Sequence, residues 1–231
     1  MQVATSQNLT VRTIGSLHSY APIFSTEGIC IVLDRYNRLI RLEDNLVTIQ
    51  AGMTISELNE LLAKYNLALP IVGAIDKQTV SGAISTGTHG GSLHHPSLSG
   101  YVDSLRLIRA NGSVLDIHSS EEIFNAVAVS MGLLGIISTV TFRCVPAITL
   151  QAQSTSMSLD TLVEQFDTLH QSNEYVDIKY LPITDNVQLL TLNRAVVNKY
   201  TETSEVIHRS PLGRKIKTFI LKGMLSLFQH S

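Results

Sequence analysis

Through the first two thirds of the chain, short β-branched runs alternate with stretches whose apolar residues recur at helical spacing. Residues Val11–Ile14, 29–33, Leu46–Gln50, 105–109 and 136–142 are rich in Val, Ile, Leu and Thr and predict strands. After Leu46–Gln50 the period changes. Thr54-Ile55-Ser56-Glu57 has the spacing of a capping box, and Ile55, Leu58, Leu61 and Leu62 then recur on one helical face, with Pro70 beyond the end. Ile123, Phe124, Val127 and Met131 share a face in the same way and predict a helix over 121–131 that Gly132 stops.

Near Pro146 the pattern changes again. Leu159, Leu162, Phe166 and Leu169 predict an amphipathic helix over 159–170, followed by strand-like runs at 176–181 and 187–193. Pro182-Ile183-Thr184-Asp185-Asn186 between them is turn chemistry, so the pair reads as a β-hairpin. A domain boundary is expected near 146–152, giving a first domain over 1–148 and a second over 149–231. Residues 199–211 are polar, whereas 216–228 are apolar with interspersed lysines and resemble an amphipathic helix.

Composition narrows the classes. With 231 residues and 44% hydrophobic content, the chain is long enough for one large or two small domains, each with a core. The 17 basic and 19 acidic residues leave a formal charge of −2, no surplus for holding a polyanion, so nucleic acid is not an expected partner. Cys30 and Cys144 lie far apart in apolar stretches, the usual setting of small buried hydrophobes. Residues 1–9 lack the apolar centre of a signal peptide, and the longest apolar run, 131–140, is interrupted by Gly132, Gly135, Ser138 and Thr139. A soluble, cytoplasmic protein is expected, without membrane association.

Two segments call for more than packing. Ile14-Gly15-Ser16-Leu17-His18-Ser19-Tyr20 follows a strand, and Val80-Ser81-Gly82-Ala83-Ile84-Ser85-Thr86-Gly87-Thr88-His89-Gly90-Gly91 is a longer run of the same kind. Both combine glycine with hydroxyl residues, which lets backbone approach a ligand while N–H and O–H donors converge on it, as a pyrophosphate requires. Neither has the glycine spacing and following acidic residue of the Rossmann fingerprint, and no phosphate loop with its lysine is present. On these residues alone two readings stand: a surface for a phosphate-bearing cofactor, or a pair of glycine-rich turns packed between strands. His94 and His95 are adjacent, without a carboxylate or thiolate spaced to complete a metal site, and read as loop residues.

Gly15-Ser16-Leu17-His18-Ser19, Gln50-Ala51-Gly52, the run from Ser81 to Gly90, and Gly132-Leu133-Leu134-Gly135-Ile136-Ile137 stand in an order that resembles the vanillyl-alcohol-oxidase (PCMH) type of FAD-binding domain. Within that superfamily the resemblance is to the aldonolactone oxidase group, which comprises gulonolactone and arabinonolactone oxidases and their alditol oxidase relatives, and it runs from about residue 9 to about residue 195. It implies an α+β fold, with two small α/β lobes gripping FAD and the start of an α+β substrate domain behind them. It also implies oxidation of a CH–OH group of an aldonolactone or polyol, with molecular oxygen as acceptor.

The resemblance implies roles for particular positions. His18 matches the histidine bonded covalently to the flavin, with Gly15, Ser16, Leu17 and Ser19 around it; a neutral imidazole is a competent nucleophile for that bond. Relatives of the berberine-bridge type add a cysteinyl link, but neither Cys30 nor Cys144 lies at that position, so one covalent bond is expected. Ser81, Gly82, Ser85, Thr86, Thr88, His89 and Gly90 match the stretch lining the flavin and its pyrophosphate. Ile137 resembles the position whose backbone meets the adenine end, and its side chain reads as ordinary core. Gly73 resembles the small residue beside the flavin's reactive edge that goes with access of oxygen.

Departures from the family pattern bear on activity. Members begin with a further strand and helix, whereas Met1 falls where the end of that helix is expected. The chain ends soon after the segment resembling the opening of the substrate domain. A chain shortened at both ends is therefore implied, with no catalytic base assignable: Glu57 reads as a helix cap, Glu60 as a solvated face and Asp103 as a strand start. Two other readings are a remnant or pseudoenzyme retaining at most flavin binding, and a relative oxidising a lipid-linked pentose with 216–228 at a membrane; a helix of that composition more often packs in a core.

Overall fold

The computed structural model describes residues 1–195. Helix α1 (Gln2–Ser6) leads into β1 (Val11–Ile14), which pairs in parallel with β2 (Ile29–Val32), Val11 opposite Ile29 and Ile14 opposite Val32. Next come β3 (Leu39–Glu43), β4 (Leu46–Gln50), α2 (Ile55–Ala63), the short β5 (Leu67–Ala68) and α3 (Val80–Ser85). The strands β6 (Val102–Ile108) and β7 (Val114–His118) precede α4 (Phe124–Ala128), β8 (Ile136–Arg143) and β9 (Val145–Pro146).

A five-stranded antiparallel sheet of order β3-β4-β8-β6-β7 organises this part. β8 lies at its centre and is buried on both faces, so that even its Ser138 and Thr141 are buried beside Ile137, Val140 and Phe142. Its Val140 and Phe142 meet Ile49 and Val47 of β4, Ile55, Leu58 and Leu62 of α2, and Ile84 of α3 in one core cluster. α2 starts as its spacing requires: the Thr54 hydroxyl accepts from Glu57 N at 3.2 Å, and the Glu57 carboxylate accepts from Thr54 N at 2.8 Å. The small pair β5–β9 ties the end of α2 to the end of β8.

A second sheet starts at residue 150. β10 (Leu150–Ser158), α5 (Leu159–Ser172), β11 (Tyr175–Leu181) and β12 (Asn186–Arg194) form an antiparallel sheet of order β10-β12-β11, with α5 packed on all three strands. β11 and β12 make the expected hairpin, Leu181 opposite Asn186 across the turn. The expected apolar segment 216–228 lies outside the described residues. No helix among the described residues is long and apolar enough to cross a membrane.

Three expectations are corrected. The helix predicted over 121–131 shrinks to Phe124–Ala128: Val129 (φ −114°, ψ 43°) and Met131 (φ 52°) leave helical geometry before Gly132, and Met131 N donates instead to Ser85 O at 3.1 Å. Ile123 and Met131, assigned to its inner face, are exposed, while Phe124 and Val127 are buried. Cys30 is exposed, because β2 belongs to a two-stranded sheet covered on one face and Cys30 and Val32 point outward; Cys144 is buried, and both are free thiols. The first half of the second glycine-rich segment is helical, as α3 rather than a turn.

Candidate functional site

The loop after β1 is seated directly on the start of α3. Thr79 caps α3, its hydroxyl accepting from Gly82 N at 3.4 Å, and a Cβ on Gly15 would overlap that same hydroxyl. Only glycine at 15 therefore allows the two segments to meet. Between them opens a cleft with about 830 Å³ of empty space, part of it continuous with solvent.

Gly15, Ser16, Leu17, His18 and Ser19 line one side of the cleft; Ser81, Gly82, Ser85 and Thr86 line the other, and Ile137 of β8 closes the floor. Ile137 is also part of the buried core, as expected for its side chain. Arg12, Thr13, Gln78, Thr79, Met131 and Gly132 line it too and were not singled out in the sequence. A second depression beneath α1 shares Thr13, Gly132 and Gly135 with the cleft and continues it past Ala4, Leu9, Val11 and Ile136.

Two properties mark the cleft as more than a packing fault. The non-glycine residues with left-handed backbone are Asn8, Asp44, Asn66 and Asp185, for which this is ordinary, and Leu17 (φ 56°) and Met131 (φ 52°), for which it is not. Both of these exceptions line the cleft. Several of the lining groups are moreover uncommitted. The imidazole of His18 is exposed, and among the described residues neither it, nor the Arg12 guanidinium, nor the hydroxyls of Ser16, Ser19, Ser81 and Ser85 has a hydrogen-bond or ion-pair partner. The lining holds a cation and hydroxyl donors and, among the described residues, no carboxylate.

Gly73, Thr88, His89 and Gly90 do not line the cleft. They form an adjoining wall in which Gly73 faces Thr88, and Gly90 faces Ile71 and Val72. Gln78 joins wall to cleft by donating from Nε2 to the Thr88 hydroxyl at 3.2 Å. His89 points outward, its Nδ1 3.1 Å from Gly90 O.

His95 is not a plain loop residue. Its Nδ1 lies 2.5 Å from the Tyr101 hydroxyl, and its Nε2 lies 3.3 Å from the Tyr175 hydroxyl and 3.5 Å from Glu174 Oε1. Its ring stacks on Tyr175 with centroids 5.4 Å apart. Burial, aided by the Glu174 charge, pushes the Tyr175 phenol up to about 12. Burial alone would raise Glu174, but the contacts from Arg194 and His95 outweigh it and hold the carboxyl below its ordinary range. Neighbouring histidines gave no signal in the sequence, because Glu174 and Tyr175 stand at the start of β11, about eighty residues on.

A cleft of this lining, between a strand-borne loop and a capped helix on an antiparallel sheet, offers a cation and hydroxyl donors of the kind that suit an anionic ligand. The chain belongs to the FAD-binding domain family, whose model matches residues 1–118; residues 140–230 match the model of D-arabinono-1,4-lactone oxidase. Its relatives are aldonolactone oxidases. L-gulonolactone oxidase of Bos taurus is 34% identical over 194 residues, covering 82% of this chain and 44% of the relative. D-arabinono-1,4-lactone oxidase of Eremothecium gossypii is 32% identical over 235 residues, covering 98% and 43%. Among solved structures, a cholesterol oxidase from Brevibacterium sterolicum superposes with a TM-score of 0.74 at 16% identity, over 83% of this chain and 42% of that one, a likeness of fold. The chain spans less than half the length of the curated relatives it matches.

Proposed function

We propose that this chain forms the flavin side of an FAD-linked oxidoreductase that oxidises a CH–OH group of an aldonolactone or polyol. The observation that carries the reading is the convergence on one cleft of the exposed His18 imidazole with Arg12 and the hydroxyls of Ser81 and Ser85, which have no partner among the described residues, in a lining that holds no carboxylate among those residues. That donor set fits a dinucleotide: Arg12 with Ser81 and Ser85 would hold the pyrophosphate, the furrow beneath α1 would take the adenine, and His18 would make the single covalent link to the flavin. FAD, when bound, supplies the hydride acceptor and the reaction with oxygen. The chain's own residues orient it: the left-handed Leu17 presents His18, and Thr79 fixes the loop to α3. Gly73, Thr88, His89 and Gly90 form the wall beside the reactive edge.

Residues 1–148 form the flavin domain and the sheet from residue 150 opens the substrate domain; the change from one sheet to the other across 144–149 supports that division. The reading is tested by titrating the chain with FAD and following quenching of flavin fluorescence. Saturable quenching, with flavin that stays on the protein after denaturation and is released in His18→Ala, is expected; unquenched flavin contradicts it. A second reading, flavin binding without turnover, is favoured by the lack of a carboxylate among the described residues lining the cleft. Anaerobic mixing of the flavin-loaded chain with L-gulonolactone or D-arabinonolactone separates the two, since only the first reading predicts bleaching.

A further inference from the structure

The β11–β12 hairpin meets the wall of the cleft along a seam whose polar groups the site does not otherwise use. Val176 N donates to Gly91 O at 2.5 Å, and a Cβ on Gly91 would overlap the Val176 carbonyl, so only glycine permits this approach. The Ser92 hydroxyl donates to Glu174 O at 2.5 Å. The Tyr175 hydroxyl donates to Pro70 O at 2.7 Å. Having given its one proton to Pro70, that hydroxyl faces His95 Nε2 as an acceptor, so Nε2 carries the ring proton, Nδ1 is bare, and the Tyr101 hydroxyl donates to it. The result is a directed relay, Tyr101 to His95 to Tyr175 to Pro70, in which every member is satisfied and each bond polarises the next. It ends at the base of segment 70–73, which packs on 88–90, and Gln78 carries that contact to the cleft.

We propose that His95 and Tyr175 are positioning residues: their relay, with the Gly91–Val176 contact, sets segments 70–73 and 88–91 against the cleft, so that hairpin docking and flavin binding favour one another. The inference rests on the reading of the cleft as a flavin site. Coupling of this kind is reciprocal, so FAD protects the hairpin as much as the hairpin improves FAD affinity.

The test uses the full chain. Tyr175→Phe keeps the ring stack and removes the relay's last donor, while His95→Gln keeps a donor and an acceptor without the ring. FAD affinity is read by fluorescence quenching, the bound flavin by its visible spectrum, and the fold by the melting temperature of the flavin-free chain. Tyr175→Phe is expected to weaken FAD about two- to tenfold, the worth of one neutral hydrogen bond, and to shift the bound-flavin spectrum; His95→Ala is expected to do the same, with part recovered in His95→Gln. Unchanged affinity and spectrum in a variant that merely melts lower overturns the proposal and leaves a structural seam. If the unsubstituted chain takes up no flavin, the functional reading fails instead, and amide exchange at 71–73 and 88–91 decides the inference: faster exchange in Tyr175→Phe supports it, unchanged exchange overturns it.

Discussion

Thr79 is the pivot of the cleft, since one hydroxyl caps α3 and fills the space that a Cβ on Gly15 would need. Gly15→Ala is therefore expected to push the 15–19 loop off α3 and abolish flavin binding with modest loss of stability, read as lost quenching in a chain that still melts cooperatively. Leu17 behaves in the opposite way. A left-handed residue with a Cβ is strained by about 1–2 kcal/mol, whereas glycine in the unfolded chain loses roughly 0.5–1 kcal/mol more on folding. Leu17→Gly should consequently hold or raise stability by up to about 1.5 kcal/mol while weakening FAD, an outcome that urea midpoints and titration resolve together. Arg12→Ala should weaken FAD by about tenfold or more, the worth of a charge-assisted bond. His18 was legible in the sequence because its loop is a contiguous motif. Arg12 was not, because its significance lies in having no partner among the described residues, which only the packing around it reveals.

Among the elements, those built on local signals are the ones the sequence announces. The capping box at Thr54 and Glu57 places α2, and Thr54→Ala is expected to destabilise the chain by about 1 kcal/mol, measured as a lower urea midpoint. The β11–β12 hairpin is announced by its turn. β3, β7 and β10 are not, since each is a sheet edge with one face in water and residues such as Arg41, Glu43, Asp116, Gln151 and Gln153 in place of a β-branched run. The helix over 121–131 is misread for a related reason: its spacing is helical, but the left-handed Met131 is used to shape the cleft. The docked hairpin also carries a pH dependence. Glu174 holds its proton less tightly folded than unfolded, through Arg194 and His95. Its contribution to docking is complete above the ordinary glutamate range, about pH 4.3, and is lost as pH falls through the lower folded value; Glu174→Gln should flatten that acid limb in urea midpoints taken across pH.

At the scale of the described residues, a large antiparallel sheet with α2 and α3 packed into its core provides the base, and the cleft is assembled on it from the loop after β1, the start of α3 and the 131–137 segment. The order of motifs along the chain is sufficient to place it in the FAD-binding domain family, because those motifs are local. The seam between the sheets is not legible, since it joins residues 70, 91, 95 and 101 to 174–176 through contacts that no spacing encodes. The central claim is that the cleft beside His18 holds FAD through a covalent bond. The direct measurement is the intact mass, under denaturing conditions, of the protein isolated from its own source, with His18→Ala as control. A polypeptide mass increased by one FAD, and lost in the variant, is predicted; a bare polypeptide mass would contradict the claim.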